Sequence, residues 1–417
     1  MEEKKCLVRS PRVLDLTNNN GYLCGRILAD LGADVIKIER PGGDPDRGIG
    51  LFYQQTPDPG KNLVWMAYNA NKRGVTLKLD STYGRQIFKS LVNNADFLIE
   101  SFPPGYMDEL GLGYSDLNQL SPRMIYTSIS PFGQTGPYRS FKASDLVVMA
   151  MSGLLYITGK PDAPPVRISF PQSFLLASAH AAAASLIAYF YREKTGLGQH
   201  VDVSAQACVL WEFSNAVPLW ELNQKILKRA GSYLSGRWTD TKQKLLWRCK
   251  DGYVIFYILG GDFGLKTNRA IAAWLQEEGL ATELMATFDW TVFDMSCQTQ
   301  EMQEQMEAPI AELFLKYTKA ELYSQALNRK IMLCPVSTAR DICENTQLDA
   351  RSFWAKVDYP EIPAQITYPG PFAKLSETPL TRLKKAPLPG EHNLEIFEKE
   401  LGFSKRDMVL LQQSGII

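Results

Sequence analysis

The first forty residues confine the chain to a small set of architectures. Arg12 to Leu16 is a short apolar run, Tyr22 to Leu31 carries apolar side chains at helical spacing, Gly32 closes that segment, and Ala33 to Glu39 resumes as a strand. A strand, a helix and a strand in so short a span predict the βαβ opening of a parallel sheet, since parallel strands need a crossover between them. A strand-like run at Gly74 to Leu79 precedes a helix near Tyr83 to Asn93, and Asp96 to Glu100 and Met124 to Ser130 read as later strands. The N-terminal third therefore reads as an open α/β sheet.

The clearest helix is Gln172 to Lys194. Pro171 and Ser173 supply start signals, seven alanines between Ala177 and Ala188 supply helix propensity and permit close packing, and Gly196 stops it. A long helix is expected to continue from Ser204 through Trp220. The sequence then becomes richer in basic and aromatic residues, with a strand at Gly252 to Ile258 and helices between Asn268 and Leu327. Residues 231–330 are expected to form a smaller domain, and 1–220 with 333–417 a larger one that ends in an amphipathic helix.

Composition narrows the partners. Lys plus Arg and Asp plus Glu number 45 each, so no net charge draws the chain toward nucleic acid or an anionic membrane, and an anionic ligand must be held by a local cluster. Seven cysteines, Cys6, Cys24, Cys208, Cys249, Cys297, Cys334 and Cys343, are scattered singly, which argues for reduced thiols rather than a disulfide or zinc framework. Three histidines make a His-rich metal site improbable. The first residues lack the apolar core of a signal peptide, and no apolar run is read as approaching the ~20 residues that span a bilayer. A cytoplasmic protein without metal, nucleic-acid or membrane partners is expected.

Several strings recur in a definite order: Leu31-Gly-Ala-Asp-Val-Ile-Lys-Ile-Glu-Arg40, Asn71-Lys-Arg-Gly74, Glu100-Ser-Phe-Pro-Pro-Gly105, Phe132-Gly-Gln-Thr-Gly-Pro137, Met151-Ser-Gly153, Lys194-Thr-Gly-Leu-Gly-Gln-His-Val-Asp-Val-Ser204 and Pro387-Leu-Pro-Gly-Glu-His392. Together they resemble the class III CoA-transferase family, which includes formyl-CoA and carnitine CoA-transferases and α-methylacyl-CoA racemases. The resemblance implies a large open α/β, Rossmann-like domain built from both chain ends, a smaller inserted α+β domain, and two subunits interlocked like chain links. It implies CoA thioesters as substrates and no resident cofactor. It also implies an aspartate at the start of the alanine-rich helix that attacks an acyl-CoA and then carries the acyl group.

Alignment of Pro164 to Arg167 and the helix behind them brings that aspartate onto Phe174, and none of Pro171, Gln172, Ser173, Leu175 or Leu176 carries a carboxylate. Asp145 is the nearest acidic alternative, in a place where the family has a fold-supporting residue or the neighbour of a racemase histidine. Ser144 stands in that histidine's place, so racemase proton transfer lacks both partners. Arg40, Lys72, Arg73 and Phe102 fall where the family holds CoA. Asp80 and Glu109 replace basic residues of relatives, Ser101 replaces an asparagine, and Tyr106 a small residue.

With an acidic group ~8 Å from a phosphate at an effective dielectric near 20, each exchange adds roughly 2 kcal/mol of repulsion, so weak CoA binding is expected. His180, His200 and His392 are read as structural, Asn18 to Gly21 as a turn and helix cap or a polar helper, and Gly260-Gly-Asp262 as resembling a glycine loop that covers the acyl site in relatives. The expected assembly is a heteromer in which a homologous, aspartate-bearing subunit supplies the nucleophile.

Overall fold

The computed structural model describes residues 10–234, 241–360, 362–380 and 383–417. The first nine residues, with Cys6, lie outside them. The chain forms two compact units: one comprises Met1–Leu154, Ile168–Ser214 and Thr346–Ile417, the other Leu155–Arg167 and Asn215–Asn345. Relative to the expected 231–330, the second unit begins earlier, ends later and takes in the 155–167 segment.

The first unit is built on six parallel strands in the order β3-β2-β1-β4-β5-β6. They are β1 (Arg12–Leu16), β2 (Asp34–Glu39), β3 (Arg73–Thr76), β4 (Phe97–Glu100), β5 (Ile125–Ser130) and β6 (His200–Ser204). Between them run α1 (Tyr22–Asp30), α2 (Leu63–Asn69), α3 (Thr82–Val92), α4 (Tyr106–Glu109), α5 (Tyr114–Leu120), α6 (Asp145–Met151) and α7 (Ser173–Thr195), and α8 (Ala205–Trp211) follows β6. The α/β class expected from the sequence is therefore the one formed. The strand order reverses between β1 and β4, where the strands' carboxyl ends open a crevice. β3 starts one residue earlier than expected and ends at Thr76, although the Leu77 N–H still donates to the Glu39 carbonyl at 2.7 Å.

The two chain ends are joined here. Arg47 donates to both oxygens of Glu39, at 2.7 and 2.8 Å, and to the Pro387 carbonyl at 2.8 Å, with its guanidinium 3.6 Å from the Trp65 ring. His392 Nδ1 accepts from the Gly74 N–H at 3.1 Å. The closing helix Lys405–Gln413 sets Met408 and Leu411 into the same apolar core as Phe88, Leu98 and Tyr126.

Two expectations are corrected. The helix expected through Trp220 is two: α8 ends at Trp211, and α9 (Ala216–Asn223) begins in the second unit. Pro218 explains the break, because in a continuous helix its ring would strike the carbonyl of Ser214 and it has no N–H to donate. The second correction concerns α7, a 23-residue helix in which an 18-residue stretch reaches a mean hydropathy of 1.5, long and apolar enough to cross a bilayer. Its buried face instead packs within the first unit through Ala177, Ala181, Ala182 and Ala188. Arg192 on that face pairs with Asp96 at 3.0 Å, and Gly196, at φ +79°, ends the helix by donating to the Arg192 carbonyl.

The second unit has its own core. An antiparallel sheet that includes Leu246–Cys249 and Gly252–Ile255 packs Trp247 and Phe256 against Phe314 of the helix Gln300–Leu315. The strand expected to reach Ile258 stops at Ile255, yet Phe256 and Ile258 stay fully buried in that core.

Beneath β1 of the first unit lies a closed ionic cluster. Lys72 donates to Asp15 Oδ2 at 2.7 Å, to the Tyr22 carbonyl at 2.9 Å and to Asn69 Oδ1 at 2.8 Å, which occupies all three of its protons. A Cβ at Gly25 would stand 2.2 Å from Asp15 Oδ2, so only glycine lets α1 approach this closely. Replacing Lys72 by Met leaves a buried carboxylate short of its main partner, and should lower unfolding free energy by about 3 kcal/mol or more in urea titrations.

Candidate active site

Two cavities open near the carboxyl ends of the strands in the first unit. The larger, about 610 Å³, is walled by the ends of β1 and β2, the segment after β3, and the Phe102 to Tyr106 loop after β4. It brings Arg40 and Phe102 together with Asn18, Lys78, Asp80 and Tyr106. Phe102 and Tyr106 lie against each other with ring centroids 4.8 Å apart.

Lys72 and Arg73, expected beside them as CoA ligands, do not join this wall. Lys72 is held in the cluster with Asp15, where burial pushes its ammonium down to about 8 against the pull of that carboxylate. Burial would raise Asp15, but Lys72 and Lys37 outweigh it and hold the carboxyl below its ordinary range, so the pair is ionised at neutral pH. Arg73 is turned to Asp34 (2.5 Å), Glu395 (2.8 Å) and Glu400 (2.6 Å). Both residues serve the fold: all three Lys72 protons and four of the five Arg73 N–H groups are committed to carboxylate or carbonyl oxygens.

The cavity fits phosphates poorly. Asp44, Asp46 and Asp80 line it, and of the basic residues only Arg40 and Lys78 are exposed, since Lys37 is buried and bonded to the Thr17 carbonyl. Burial raises Asp46 above the usual carboxylate range, with Asn19 N–H opposing. Glu109, the other residue expected to repel CoA, is exposed on α4 away from this lining. Asn18 serves as a turn residue: its Oδ1 accepts from the Asn20 N–H and the Ser101 hydroxyl, both at 2.9 Å.

The second cavity, about 360 Å³, is lined by Glu100, Tyr114, Tyr126, Ser128, Arg139 and His200, among others. Glu100 accepts from the Phe102 N–H at 2.7 Å, and Ser128 Oγ lies 3.0 Å from His200 Nε2, whose ring stacks on Tyr114. Burial pushes the Glu100 carboxyl up to about 7 and lowers His200, so the imidazole is neutral at pH 7. The sequence carried one signal for this cluster: Glu100 ends an otherwise apolar strand. Asp15 within Val-Leu-Asp-Leu and Lys37 within Val-Ile-Lys-Ile carried the same signal for the buried pair.

Phe174 sits in the first turn of α7, buried at 6% exposure. Its side chain offers neither a lone pair nor an ionisable proton. The carboxylate at this helix start belongs to Asp145, whose Oδ1 accepts from the Gln172 N–H, the Ser173 N–H and the Ser173 hydroxyl, each at 2.8 Å. It acts as a cap from a neighbouring element, satisfying orphan N–H groups and the positive end of the helix dipole. His180 Nδ1 lies 2.9 Å from the Leu176 carbonyl one turn back, with Glu212 3.9 Å from its other nitrogen. Gly260 precedes the helix Gly261–Glu277 in the second unit.

A crevice at the switch point of a parallel sheet, stitched from both ends of the chain, is the place where open α/β proteins bind their ligands. The chain belongs to CoA-transferase family III, whose family profile matches residues 10–393. It is 34% identical, over 97% of both chains, to subunit BbsE of the succinyl-CoA:(R)-benzylsuccinate CoA-transferase of Thauera aromatica. It is 31% identical to the succinyl-CoA–D-citramalate CoA-transferase of Chloroflexus aurantiacus, over 95% of this chain and 94% of that one. A CaiB/BaiF family protein from Brucella suis superimposes with a TM-score of 0.77 at 26% identity, over 93% of this chain and 98% of that one.

Two outcomes follow from the geometry. Asp145→Ala removes three accepted bonds at the start of α7 and should cost about 1–2 kcal/mol in chemical denaturation. Glu100, with its folded pKa raised from 4.5 to about 7, binds more protons folded than unfolded across that interval. Its contribution is therefore fully present below pH 4.5 and is lost as pH rises through 7, by roughly 3 kcal/mol. Thermal melts at pH 5 and 8 should show a smaller pH dependence for Glu100→Gln than for the wild type.

Proposed function

We propose that the chain is the nucleophile-lacking subunit of a heteromeric class III CoA-transferase, interlocked with a homologous subunit that supplies the catalytic aspartate. The observation that carries this reading is Phe174 at the head of α7, with Asp145 tied up as a cap. In the proposed reaction the partner's carboxylate attacks succinyl-CoA, expelling the CoA thiolate and forming a mixed anhydride. CoA thiolate then attacks the aspartyl carbonyl of that anhydride and succinate leaves. The acceptor carboxylate attacks the resulting aspartyl-CoA thioester, expelling CoA and forming a second anhydride, whose acceptor carbonyl CoA finally attacks to give the new acyl-CoA and free the aspartate. A phenyl ring can take no part in these steps.

The similarity to BbsE supports (R)-benzylsuccinate as the acceptor, and the singly scattered cysteines support a cytoplasmic setting. Citramalate, named for the second relative, is also a substituted succinate, which supports that substrate class more broadly. The acidic balance of the 610 Å³ cavity supports weak CoA binding at that cavity. On the first unit, Ile187 (72% exposed), Phe190 (64%) and Trp211 (72%) leave large apolar side chains in water, as expected of a surface that a partner covers. The chain's role is then to complete the fold and assembly of the catalytic subunit.

Co-expression with an aspartate-bearing homologue, followed by intact-mass measurement after incubation with succinyl-CoA, tests this. The adduct should fall on the partner alone, and the chain by itself should show no transfer above background. An adduct on this polypeptide, or full activity of the isolated chain, would contradict the reading.

A further inference from the structure

The second unit contains a cavity that the transferase reading does not use. It measures about 670 Å³ and is bounded by Tyr156 and Pro161 on one side and by residues 219–229 and Lys242 on the other. Among the described residues, four that line it are cationic, Lys225, Lys228, Arg229 and Lys242, and none is acidic. In a chain with equal numbers of acidic and basic residues this is a concentrated local charge. Glu221 and Asp162 are close in sequence, but neither lines the space.

The walls are fixed by bonds within the unit. Arg229 donates to the Tyr156 carbonyl at 2.6 Å and to the Lys160 carbonyl at 3.2 Å, and its guanidinium lies 5.1 Å from the Tyr156 ring. The Gly231 N–H donates to the Gly159 carbonyl at 2.9 Å. Among the described residues, the ammonium groups of Lys225, Lys228 and Lys242 form no ion pair, and all three side chains are exposed. Each therefore has three donors to offer an incoming oxygen.

We propose that this cavity is an anion site for a diphosphate-bearing small molecule, either a nucleoside diphosphate or the phosphoadenosine end of a CoA thioester. Unpaired ammonium groups suit phosphate oxygens as point charges, and one end of the space carries an aromatic ring, half exposed, on which a base can stack. The volume lies in the range of small-molecule pockets. Nucleic acid is disfavoured because the neutral chain supplies no extended field to follow a phosphate backbone. The site is independent of the missing aspartate: a chain that acted alone would still carry it.

The test is calorimetric titration of the full chain, in whatever complex it purifies, with pyrophosphate, ADP and 3′-phospho-ADP at low and high salt. Binding should weaken with salt, and the variant Lys225→Gln/Lys228→Gln/Lys242→Gln should lose about tenfold or more in affinity. Arg229 is left in place because it holds the wall together. Tighter binding of 3′-phospho-ADP than of ADP would identify a CoA end, and equal binding a nucleoside diphosphate. No binding of any probe, or an unchanged affinity in the triple variant, overturns the proposal. So does binding abolished by Arg40→Gln but untouched by the triple variant, which would place the anion in the 610 Å³ cavity and leave the proposed subunit role standing.

Discussion

The buried ion cluster around Asp15 is the constraint on which the first unit depends. Asp15 and Lys72 are sealed from solvent, and Lys37 stands 3.8 Å from the same carboxylate. Desolvating three charges is expensive, and the cost is offset only because each charge meets fixed partners: Thr17 bonds Asp15 at 2.6 Å, and the Tyr22 carbonyl and Asn69 complete Lys72. Those partners come from β1, β2, the start of α1, the end of α2 and the approach to β3. The cluster thus ties together five elements at the edge of the crevice. It also accounts for Gly25, since a methyl group there would enter the carboxylate.

The same accounting separates residues that shape a ligand site from residues that only resemble ligands. Lys72 and Arg73 lie in the Asn-Lys-Arg-Gly string, and sequence position alone cannot tell whether a cation is free or paired. Distances do: Lys72 has no donor left, and Arg73 bridges Asp34, on β2, to Glu395 and Glu400 near the chain's end. Among the described residues Arg40 bonds only through its Nε, to the Gly43 carbonyl at 3.3 Å, and it lines the cavity. The cations of the two strings are then divided: Arg40, after β2, faces a ligand space, while Lys72 and Arg73, at the start of β3, hold the strands beneath it.

Most of the first unit was legible in the sequence because its strands are short apolar runs with sharp ends. β1 falls at Arg12–Leu16 as read, and α7 differs from its expected bounds by one residue at each end. The break between α8 and α9 was missed because apolar periodicity continues through it while Pro218 forbids the backbone to follow. The 155–167 segment joins the second unit through contacts distant in sequence, such as Val166 N–H to the Thr158 carbonyl and Gly231 N–H to Gly159, and no local pattern announces such a pairing. The sequence placed Phe174 at the start of the alanine-rich helix, where it lies, but not the electrostatic arrangement around it. That Asp145 reaches the head of α7 depends on tertiary folding across 27 residues.

The head of α7 shows how a helix start is satisfied without an acid at its second residue. A helix start concentrates unpaired N–H groups and partial positive charge, and it needs an acceptor whether or not that acceptor reacts. Asp145 supplies one from outside the helix, with both N–H bonds at 2.8 Å. The position of Phe174 is thereby relieved of any capping duty, and burial favours an apolar side chain over a carboxylate that would have to share the same dipole with Asp145. An acid at 174 would be a second negative charge at a terminus already neutralised by Asp145, so desolvation and like-charge repulsion would both act against it, and a phenyl ring is the more stable occupant.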